Sequence, residues 1–459
     1  MTDGTPPKPP ARPERVSLWR YMRLFRQDVL SAQPARLYRA WMAEFRTPFF
    51  RSYLINDLDL IYPVFKDSHD RFPRSARLGA GLRPLLGHSV FLTNGAVWEQ
   101  QRRIIDPAFE GGRLRDTFPG IVAAGRAAVD RIAEGQTRDS AQEIEALPSH
   151  VAAAVSFRTR LSIPIDDAVA QQVLTEFKTY QRSQPILNLA AFVPGPRWMP
   201  RFFRRRTLVT ARSIRRLITQ LTRDRQAHID AGTAPDDLAT KIMTTKDPQT
   251  GKTFDADEMV DQVAIFFLAG HETSASALAW ALYLLALNPD WQDKLAAEAQ
   301  TFDGAFSDVA KLSLTRDVFR EALRLYPPVP MMVRETIQPE VFRGRDVPKG
   351  AQIVLSPWHL HRHTRLWDNP DGFDPTRWQT ANGQKCARTA YAPFSVGPRV
   401  CTGAGFAMIE GVVLLALLLR AFRFELSNMP EPVPVAHLTV RSKAGIWLRI
   451  MPRVSPNNG

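Results

Sequence analysis

A long apolar segment between Asp257 and Leu287 places the strongest constraint on the fold. Apolar residues become continuous there, which predicts a helix that is buried on all sides. His271 and Glu272 lie at its centre, and ionisable residues are costly inside a bilayer, so we expect a core helix rather than a membrane span. A chain of 459 residues, 44% of them hydrophobic, is long enough to bury such a helix in a large core.

Most of the first 330 residues also have the periodicity of amphipathic helices. Short β-prone runs at 329–334, 340–342 and 351–357 then predict a small sheet. Another apolar helix is predicted at 406–422 and a closing hairpin at 437–451. The predicted fold class is mainly α with a minor β region. The Pro-rich residues 1–15 are expected to form a flexible tail, and residues 16–459 a single domain, because no linker divides them.

The net charge of +14 comes mainly from arginines scattered along the chain. No finger, RNP-like or helix-turn-helix pattern accompanies it, so no nucleic-acid partner is predicted. An acidic protein or an anionic lipid surface would use the same field. The two cysteines, Cys386 and Cys401, are not in a CxxC pair, which argues against a disulfide framework or zinc knuckle and favours a reducing cytoplasm.

The most specific motif is Phe394-Ser-Val-Gly397-Pro-Arg399-Val-Cys401-Thr-Gly403. An isolated cysteine is usually a small buried hydrophobe. Here the two glycines permit tight turns and close approach of a flat ligand, and Arg399 supplies a fixed cation. A helix that begins after Cys401 directs its positive end toward a thiolate. This set suits an anionic sulfur beneath a macrocycle that carries carboxylates.

The motif resembles the haem-binding loop of the cytochrome P450 family. In that family the cysteine is the axial ligand of the haem iron, a role that the resemblance gives to Cys401, with Phe394 and Gly403 beside the cofactor. The implied cofactor is haem b (iron protoporphyrin IX), and the implied fold holds it between a long distal helix, the I helix, and the cysteine loop. Thr402 departs from the aliphatic residue or alanine usual in the family, and its hydroxyl could alter sulfur donation to iron.

A second motif, Ala269-Gly270-His271-Glu272-Thr273, lies in the middle of the long apolar helix. Glu and Thr are costly there without partners, and Gly weakens a helix by roughly 1 kcal/mol relative to Ala. A kinked helix with a satisfied polar pair is one interpretation. The resemblance implies another, the oxygen-activation motif of the family, in which Thr273 orders water, Glu272 relays protons and Ala269 lies over the haem face.

Other positions take their interpretation from the same resemblance. Trp98 and Arg102 are four residues apart on one helix face, and in the family this pair reaches the haem propionates. Arg334 and Arg399 occupy further propionate-binding positions. Three guanidiniums and one indole donor are a suitable set for two buried carboxylates.

Glu321-Ala-Leu-Arg324 places an acid and an arginine one helical turn apart, which alone usually marks a surface pair. The segment 373–378 resembles the family segment whose arginine, here Arg377, completes a buried network with that pair. Glu321, Arg324 and Arg377 are therefore expected to be structural residues that support the cysteine loop.

The pocket implied by family position is apolar, with Phe91, Ala269, Met331 and Met332 as lining residues, although these could also be plain core residues. Residues 185–206 fall where the family has its substrate-channel loop. We interpret them as a lid, with peripheral contact to a membrane as the alternative.

Two features are interpreted as unrelated to the chemistry. His359, His361 and His363 alternate and on a strand would share one face, but no nearby Cys or carboxylate completes a metal site. Cys386 is interpreted as an incidental free thiol in a polar loop.

The resemblance implies a haem-thiolate monooxygenase that inserts one oxygen atom of O2 into a hydrophobic organic substrate, by hydroxylation or epoxidation. A fatty acid or terpenoid-like lipid is the expected substrate. Electrons derived from NAD(P)H are expected through separate chains, a ferredoxin and a flavoprotein reductase. The expected location is the cytoplasm or, peripherally, the inner face of the membrane. The alternatives are a peroxide-dependent peroxygenase of the same fold and a non-catalytic haem protein, and the Glu272-Thr273 pair argues against both.

Overall fold

The computed structural model describes residues 5–47, 50–67, 70–110, 112–134, 140–183, 205–436 and 438–453, apart from the side chains of 67 and 181–183. Within these ranges most residues are helical, which confirms the mainly α prediction. The helices are α1 (Leu18–Gln27), α2 (Leu58–Ile61), α3 (Ala76–Leu86), α4 (Gly95–Ile105), α5 (Arg113–Glu134), α6 (Ala146–Leu161), α7 (Ala168–Ser183), α8 (Arg205–Asp230), α9 (Leu238–Thr244), α10 (Ala256–Leu287), α11 (Pro289–Ala299), α12 (Ser313–Leu325), α13 (Pro357–Leu360), α14 (Ala381–Thr389) and α15 (Ala404–Ala421).

The strands form small sheets at the periphery of the helices. They are β1 (Met42–Arg46), β2 (Arg51–Ile55), β3 (Gln142–Glu143), β4 (Met332–Glu335), β5 (Glu340–Phe342), β6 (Arg345–Val347), β7 (Gln352–Leu355), β8 (Phe422–Leu426), β9 (Pro434–Ala436), β10 (Val440–Ser442) and β11 (Trp447–Pro452). The largest described sheet has the order β1-β2-β7-β4, in which β2 and β7 are parallel and the other pairs antiparallel. It joins residues 42–55 to residues 332–355.

Helix α10 is the long buried helix that the sequence predicts. It begins with a capping box, in which the Asp255 side chain accepts from the amide of Glu258 at 2.8 Å and Glu258 accepts from the amide of Asp255 at 3.0 Å. It continues for 32 residues, most of them buried, and ends before Pro289, which opens α11. Ala269 is exposed in the middle of this buried helix, so the helix borders an open space there.

Helix α15 starts three residues after Cys401. By length and composition alone it could cross a membrane, with a mean hydropathy of 1.9 over 18 residues. Its residues 410–419 are all buried, and it packs against α5, α10, α11 and α12. In the described structure α15 is therefore a core helix.

Two hydrophobic cores meet at the cysteine loop, residues 394–403. The larger core is built from α5, α6, α10, α12 and α15, and the smaller lies beneath the β1-β2-β7-β4 sheet. Phe394 packs against the larger core and Val396 against the smaller one. The loop is thus held where the helical and sheet regions join.

Two local predictions are wrong. The segment 437–451 does not close on itself, because β10 pairs with β9 while β11 pairs with β8 and β3; residue 437 itself lies outside the described residues. Cys386 lies within α14 rather than in a polar loop, is 2% exposed, and directs its sulfur to the carbonyl of Leu366 at 3.2 Å. Thr380 caps α14 by accepting from the amide of Gly383, which explains a helix in such a polar segment.

The described part of the predicted N-terminal tail contacts the rest of the protein. The Tyr326 hydroxyl donates to the carbonyl of Pro7 at 3.0 Å, and Lys8 pairs with Asp371 at 2.5 Å. The boundary at residue 16 and the single-domain organisation stay predictions.

Candidate active site

The cysteine loop turns sharply before α15. Gly397 has a φ of +76°, and a Cβ there would collide with the backbone of Phe65, so both conformation and space require glycine. The amide of Cys401 donates to the carbonyl of Phe394 at 2.9 Å, which closes the loop. Gly403 has an ordinary φ of −87°, and a Cβ there would lie 4.0 Å from the Cys401 sulfur. A Cβ at Gly403 would therefore make only ordinary contacts, so neither backbone conformation nor space requires glycine there.

The Cys401 side chain is accessible although it lies between core elements. Burial raises the pKa of its thiol, and a backbone hydrogen bond from Gly403 and the charges of Arg160 and Arg102 oppose that rise. Arg399, predicted to supply the nearby cation, points elsewhere and donates to the carbonyl of Thr93 at 3.0 Å. The positive charges that act on the sulfur are therefore those of Arg160 on α6 and Arg102 on α4.

Four arginines converge on one side of the loop. Arg334 on β4 forms an antiparallel bridge with Arg74, and Arg399 lies close to both. Arg102 on α4 lies close to Arg74 and Arg399. Burial, followed by repulsion from neighbouring guanidiniums, lowers the pKa of Arg74, of Arg334 and of Arg399 to about 9 each. These cations would repel one another strongly unless an anion lay among them.

This cluster fits a ligand with two carboxylates. Among the described residues Arg74, Arg334 and Arg399 form no ion pair with a carboxylate, and the Nε atom of each is buried without a hydrogen-bond partner. Trp98 lies beneath Arg399, with 4.1 Å from the guanidinium carbon to the ring centroid. Arg102 differs, because it pairs with Asp106 at 3.0 Å and donates to the carbonyl of Val400. The donor set suits haem propionates.

The distal motif faces the open space along α10. The Thr273 hydroxyl donates to the carbonyl of Ala269 at 2.5 Å, which leaves its oxygen lone pairs to accept from a water molecule. The helix stays continuous through Gly270. Thr402, whose hydroxyl was expected to affect the sulfur, makes no hydrogen bond within the part of the chain described.

Glu272 borders a polar cavity of about 150 Å³. Its Oε1 accepts from the Thr439 hydroxyl at 2.5 Å and from Arg441 at 2.8 Å. His271 borders the same cavity and lies 2.9 Å from the Ser149 hydroxyl, and burial lowers its pKa to about 3. A cavity this polar can hold water and so connect Glu272 to the exterior.

Glu321, Arg324 and Arg377 come together, as expected. Arg324 forms a two-point ion pair with Glu321, with both distances at 2.8 Å, and Arg377 Nε reaches the same carboxylate at 2.9 Å. All three are buried, and the arginines also donate to carbonyls between 361 and 372. The network holds that segment against α12.

The predicted pocket residues are only partly brought together. The Phe91 ring lies 4.2 Å from the Arg74 guanidinium carbon, and Met331 and Met332 lie on or beside β4, close to Arg334. Ala269 lies across the site on α10. The proposed lid lies almost entirely outside the described residues, which include only 205 and 206 of it.

The alternating histidines are structural in the described structure. His359 lies in α13, and His361 and His363 follow it in a non-strand segment, so the three do not share one face of a strand. No group of three possible ligands that could hold a metal occurs among the described residues. His361 accepts from the amide of Ala392 at 2.8 Å, and His359 lies 2.8 Å from the Ser356 hydroxyl. The hydrogen bonds of these ring nitrogens help to hold the surrounding segments against α12.

Sequence reasoning missed three residues at the site. Arg74 has no local motif, and only its bridge to Arg334, 260 positions away, reveals it. Arg160 lies in α6, which is Ala-rich and largely buried, so a charged residue there already indicates a specific role. Glu410 precedes the apolar run of α15 and accepts from the Ser274 hydroxyl at 2.6 Å. For Arg160 and Glu410, the sequence signal is a charged residue within an apolar helical segment.

Comparison with known proteins agrees with this geometry. A sequence profile described as Cytochrome P450 matches residues 36–448. A cyclooctat-9-en-7-ol 5-monooxygenase from Streptomyces melanosporofaciens is 31% identical over 446 residues, which cover 94% of this chain and 90% of the relative. Human cytochrome P450 4A11 is 30% identical, covering 80% and 74%, and a cytokinin hydroxylase from Arabidopsis thaliana is 26% identical, covering 81% and 73%.

Proposed function

The chain belongs to the cytochrome P450 family and is a monooxygenase of that family, and from this premise we propose which residues carry its chemistry and what it oxidises. Cys401 would bind the haem iron through its sulfur. Arg74, Arg334 and Arg399 hold the propionates, with Trp98 and Arg102 beside them. The observation that supports this most is the cluster of three guanidiniums next to the cysteine loop. Their Nε atoms are buried, and they pair with no carboxylate among the described residues.

When bound, haem supplies the iron at which O2 is reduced, with thiolate donation assisting cleavage of the O–O bond. Thr273 holds a water molecule through the lone pairs of its hydroxyl oxygen. Glu272 takes up protons from the polar cavity beside Arg441 and passes them toward Thr273. Glu321, Arg324 and Arg377 keep the cysteine loop in place through the segment that they bind.

The substrate is a hydrophobic lipid, a terpenoid-like compound or a fatty acid. The Streptomyces relative, named for oxidation of cyclooctat-9-en-7-ol, supports an unsaturated alcohol of mainly hydrocarbon character. Phe91, Ala269, Met331 and Met332 line the pocket. A ferredoxin and a flavoprotein reductase supply electrons, and the net charge of +14 favours an acidic ferredoxin. Screening lipids for displacement of the iron-bound water would identify the substrate.

The spectrum of the reduced, CO-bound protein tests the ligand assignment. We expect the band of thiolate-ligated haem in the native protein and its loss in Cys401→Ala, since no other described thiol reaches the site. Cys386→Ala is the matched control and should keep the band, because Cys386 is buried in α14. A band that survives Cys401→Ala in folded protein would show that the assignment is wrong.

Thr273→Ala tests the proton relay. Without the hydroxyl, water is not held at the reacting centre, so the yield of product per NAD(P)H should fall by about 10- to 100-fold while hydrogen peroxide accumulates. Thr273→Ser keeps the hydroxyl and should retain most of the coupling. Unchanged coupling in Thr273→Ala, or turnover with peroxide alone, would instead support the peroxygenase alternative.

A further inference from the structure

Arg160 is a half-buried cation that the functions assigned so far do not use. It lies near the end of α6, a helix otherwise lined with buried apolar residues. Among the described residues it forms no ion pair with a carboxylate. Burial lowers the pKa of Arg160, yet an arginine keeps its proton at neutral pH, so a full positive charge is held here.

The guanidinium of Arg160 contacts the distal helix. Its Nη1 donates to the carbonyl of Phe266 on α10. A Cβ at Gly270 would collide with the guanidinium, so the glycine of the distal motif makes room for this side chain. The cation is therefore fixed beside α10 at the turn that includes Ala269.

The same guanidinium also reaches the cysteine side of the site. Its carbon lies 5.7 Å from the ring centroid of Phe406 in the first turns of α15. Phe109 lies between the α10 side and the cysteine side. Its ring centroid is 5.7 Å from that of Phe266, and the ring borders the space beside Gly403. Arg160 thus occupies the gap between α10 and α15, next to the Cys401 loop.

Glu410 is the carboxylic acid that shares this gap. It is buried, accepts from the Ser274 hydroxyl at 2.6 Å, and has its other oxygen without a partner among the described residues. Arg160 acts electrostatically on both Glu410 and Cys401. In a medium of low dielectric constant, one cation close to two acids influences the charge that each can carry.

We propose that Arg160 is a positioning residue that tunes the haem site, its cation stabilising the additional negative charge that the thiolate-bound iron gains on one-electron reduction. The inference rests on the proposed role of Cys401 as ligand. Reduction of ferric to ferrous iron adds one electron from the external reductant, and so adds one negative charge to the iron and its thiolate ligand. A nearby buried cation makes that state more favourable.

The experiment is a potentiometric titration of the haem-loaded, substrate-free full chain, with dithionite as reductant and redox dyes as mediators. Arg160→Gln keeps a donor for the Phe266 carbonyl but removes the charge. It should lower the equilibrium constant for reduction about tenfold, which is 59 mV for one electron. Arg160→Lys keeps the charge and should stay within about twofold of the native protein. Arg158→Gln removes an exposed charge from the same helix and should also stay within about twofold.

The outcomes separate this inference from the ligand assignment. The CO-bound spectrum of each variant should keep the thiolate band, and its absence from the native protein would refute the proposed function itself. With that band present, an unchanged potential in Arg160→Gln refutes the tuning role. So does an equal drop in Arg160→Lys, which would point to shape rather than charge. If Arg160→Gln does not fold, Arg160→Met supplies the uncharged form, with the same expectation.

Discussion

Individual buried charges around the site differ in whether the protein itself neutralises them. Glu321 receives the guanidiniums of both Arg324 and Arg377, all three buried. Arg334 and Arg399 are also buried but pair with no carboxylate in the described part of the chain. Removing one member of a paired set leaves an uncompensated charge, which typically costs about 3–5 kcal/mol. The unpaired set is the one whose charge a ligand can neutralise.

Glu410 provides a prediction about pH. Burial raises its pKa to about 7, with the Ser274 hydrogen bond and Arg160 opposing the rise. The protonated form is favoured in the folded state, so this contribution to stability is complete below pH 4.5 and is lost as the pH rises through 7. Glu410→Gln should therefore gain stability relative to the native protein between pH 5 and 8, by about 3 kcal/mol.

Denaturant unfolding of the native protein and Glu410→Gln at several pH values measures this difference. Glu425→Gln, at a half-exposed position on β8, is the control and should show a much smaller dependence. A stability difference for Glu410→Gln that does not vary with pH would contradict the prediction.

Among the elements, α15 depends on close approach by its neighbours. Gly411 lies against α12, where a Cβ would overlap the ring of Phe319. Gly405 lies on the same helix, but a Cβ there would meet its nearest neighbour, Leu114, at 3.7 Å, an ordinary contact. Substitutions at the two glycines therefore distinguish the effect of close packing from that of helix propensity.

Gly411→Ala is expected to destabilise the protein by about 1–3 kcal/mol, because the Phe319 ring has to move within a packed core. Gly405→Ala should be neutral or stabilising, since Ala favours a helix. Thermal unfolding of the two variants, compared with the native protein, checks this. Equal effects in both would show that the α12–α15 contact tolerates a methyl group.

The elements also show what sequence can predict here. Helices α10 and α15 follow from continuous apolar runs, and β4, β5 and β7 from short β-prone runs between turns. Strands β1 and β2 lie in the region that the sequence predicts to be mostly helical. Local patterns do not reveal them, because β2 pairs with β7, 300 positions away, and β1 pairs with β2. Within the site, Cys401 and its loop follow from a local motif. Arg74 and Arg160 do not, since only the tertiary structure brings them to it.

At the scale of the whole molecule, folding removes several histidines from water in their neutral form. Burial lowers the pKa of His271, His359 and His361 to about 3 each, and nearby arginines add to the effect. The unfolded chain takes up protons on these residues below about pH 6.5. The already large positive charge then increases further in acid.

We therefore expect stability to be greatest above pH 6.5 and to fall in acid, by about 2 kcal/mol for each of these histidines at pH 5. The unfolding temperature between pH 7.5 and 5 measures this loss. His271→Asn should lose less than the native protein over that range, whereas His228→Asn, at an exposed position, should follow the native curve. Identical curves for all three proteins would contradict the expectation.

The parallel pairing of β2 with β7 has a consequence for synthesis of the protein. Ser52 pairs with Gln352, so the edge of β2 that pairs with β7 stays unpaired until the ribosome has made another 300 residues. At roughly 5–20 residues per second, that interval is about 15 to 60 seconds. Cys401, the proposed haem ligand, is made later still, so we expect haem to bind late in the synthesis of the protein. Until β7 is made, the nascent chain carries an open strand edge, the kind of surface through which unfinished chains associate.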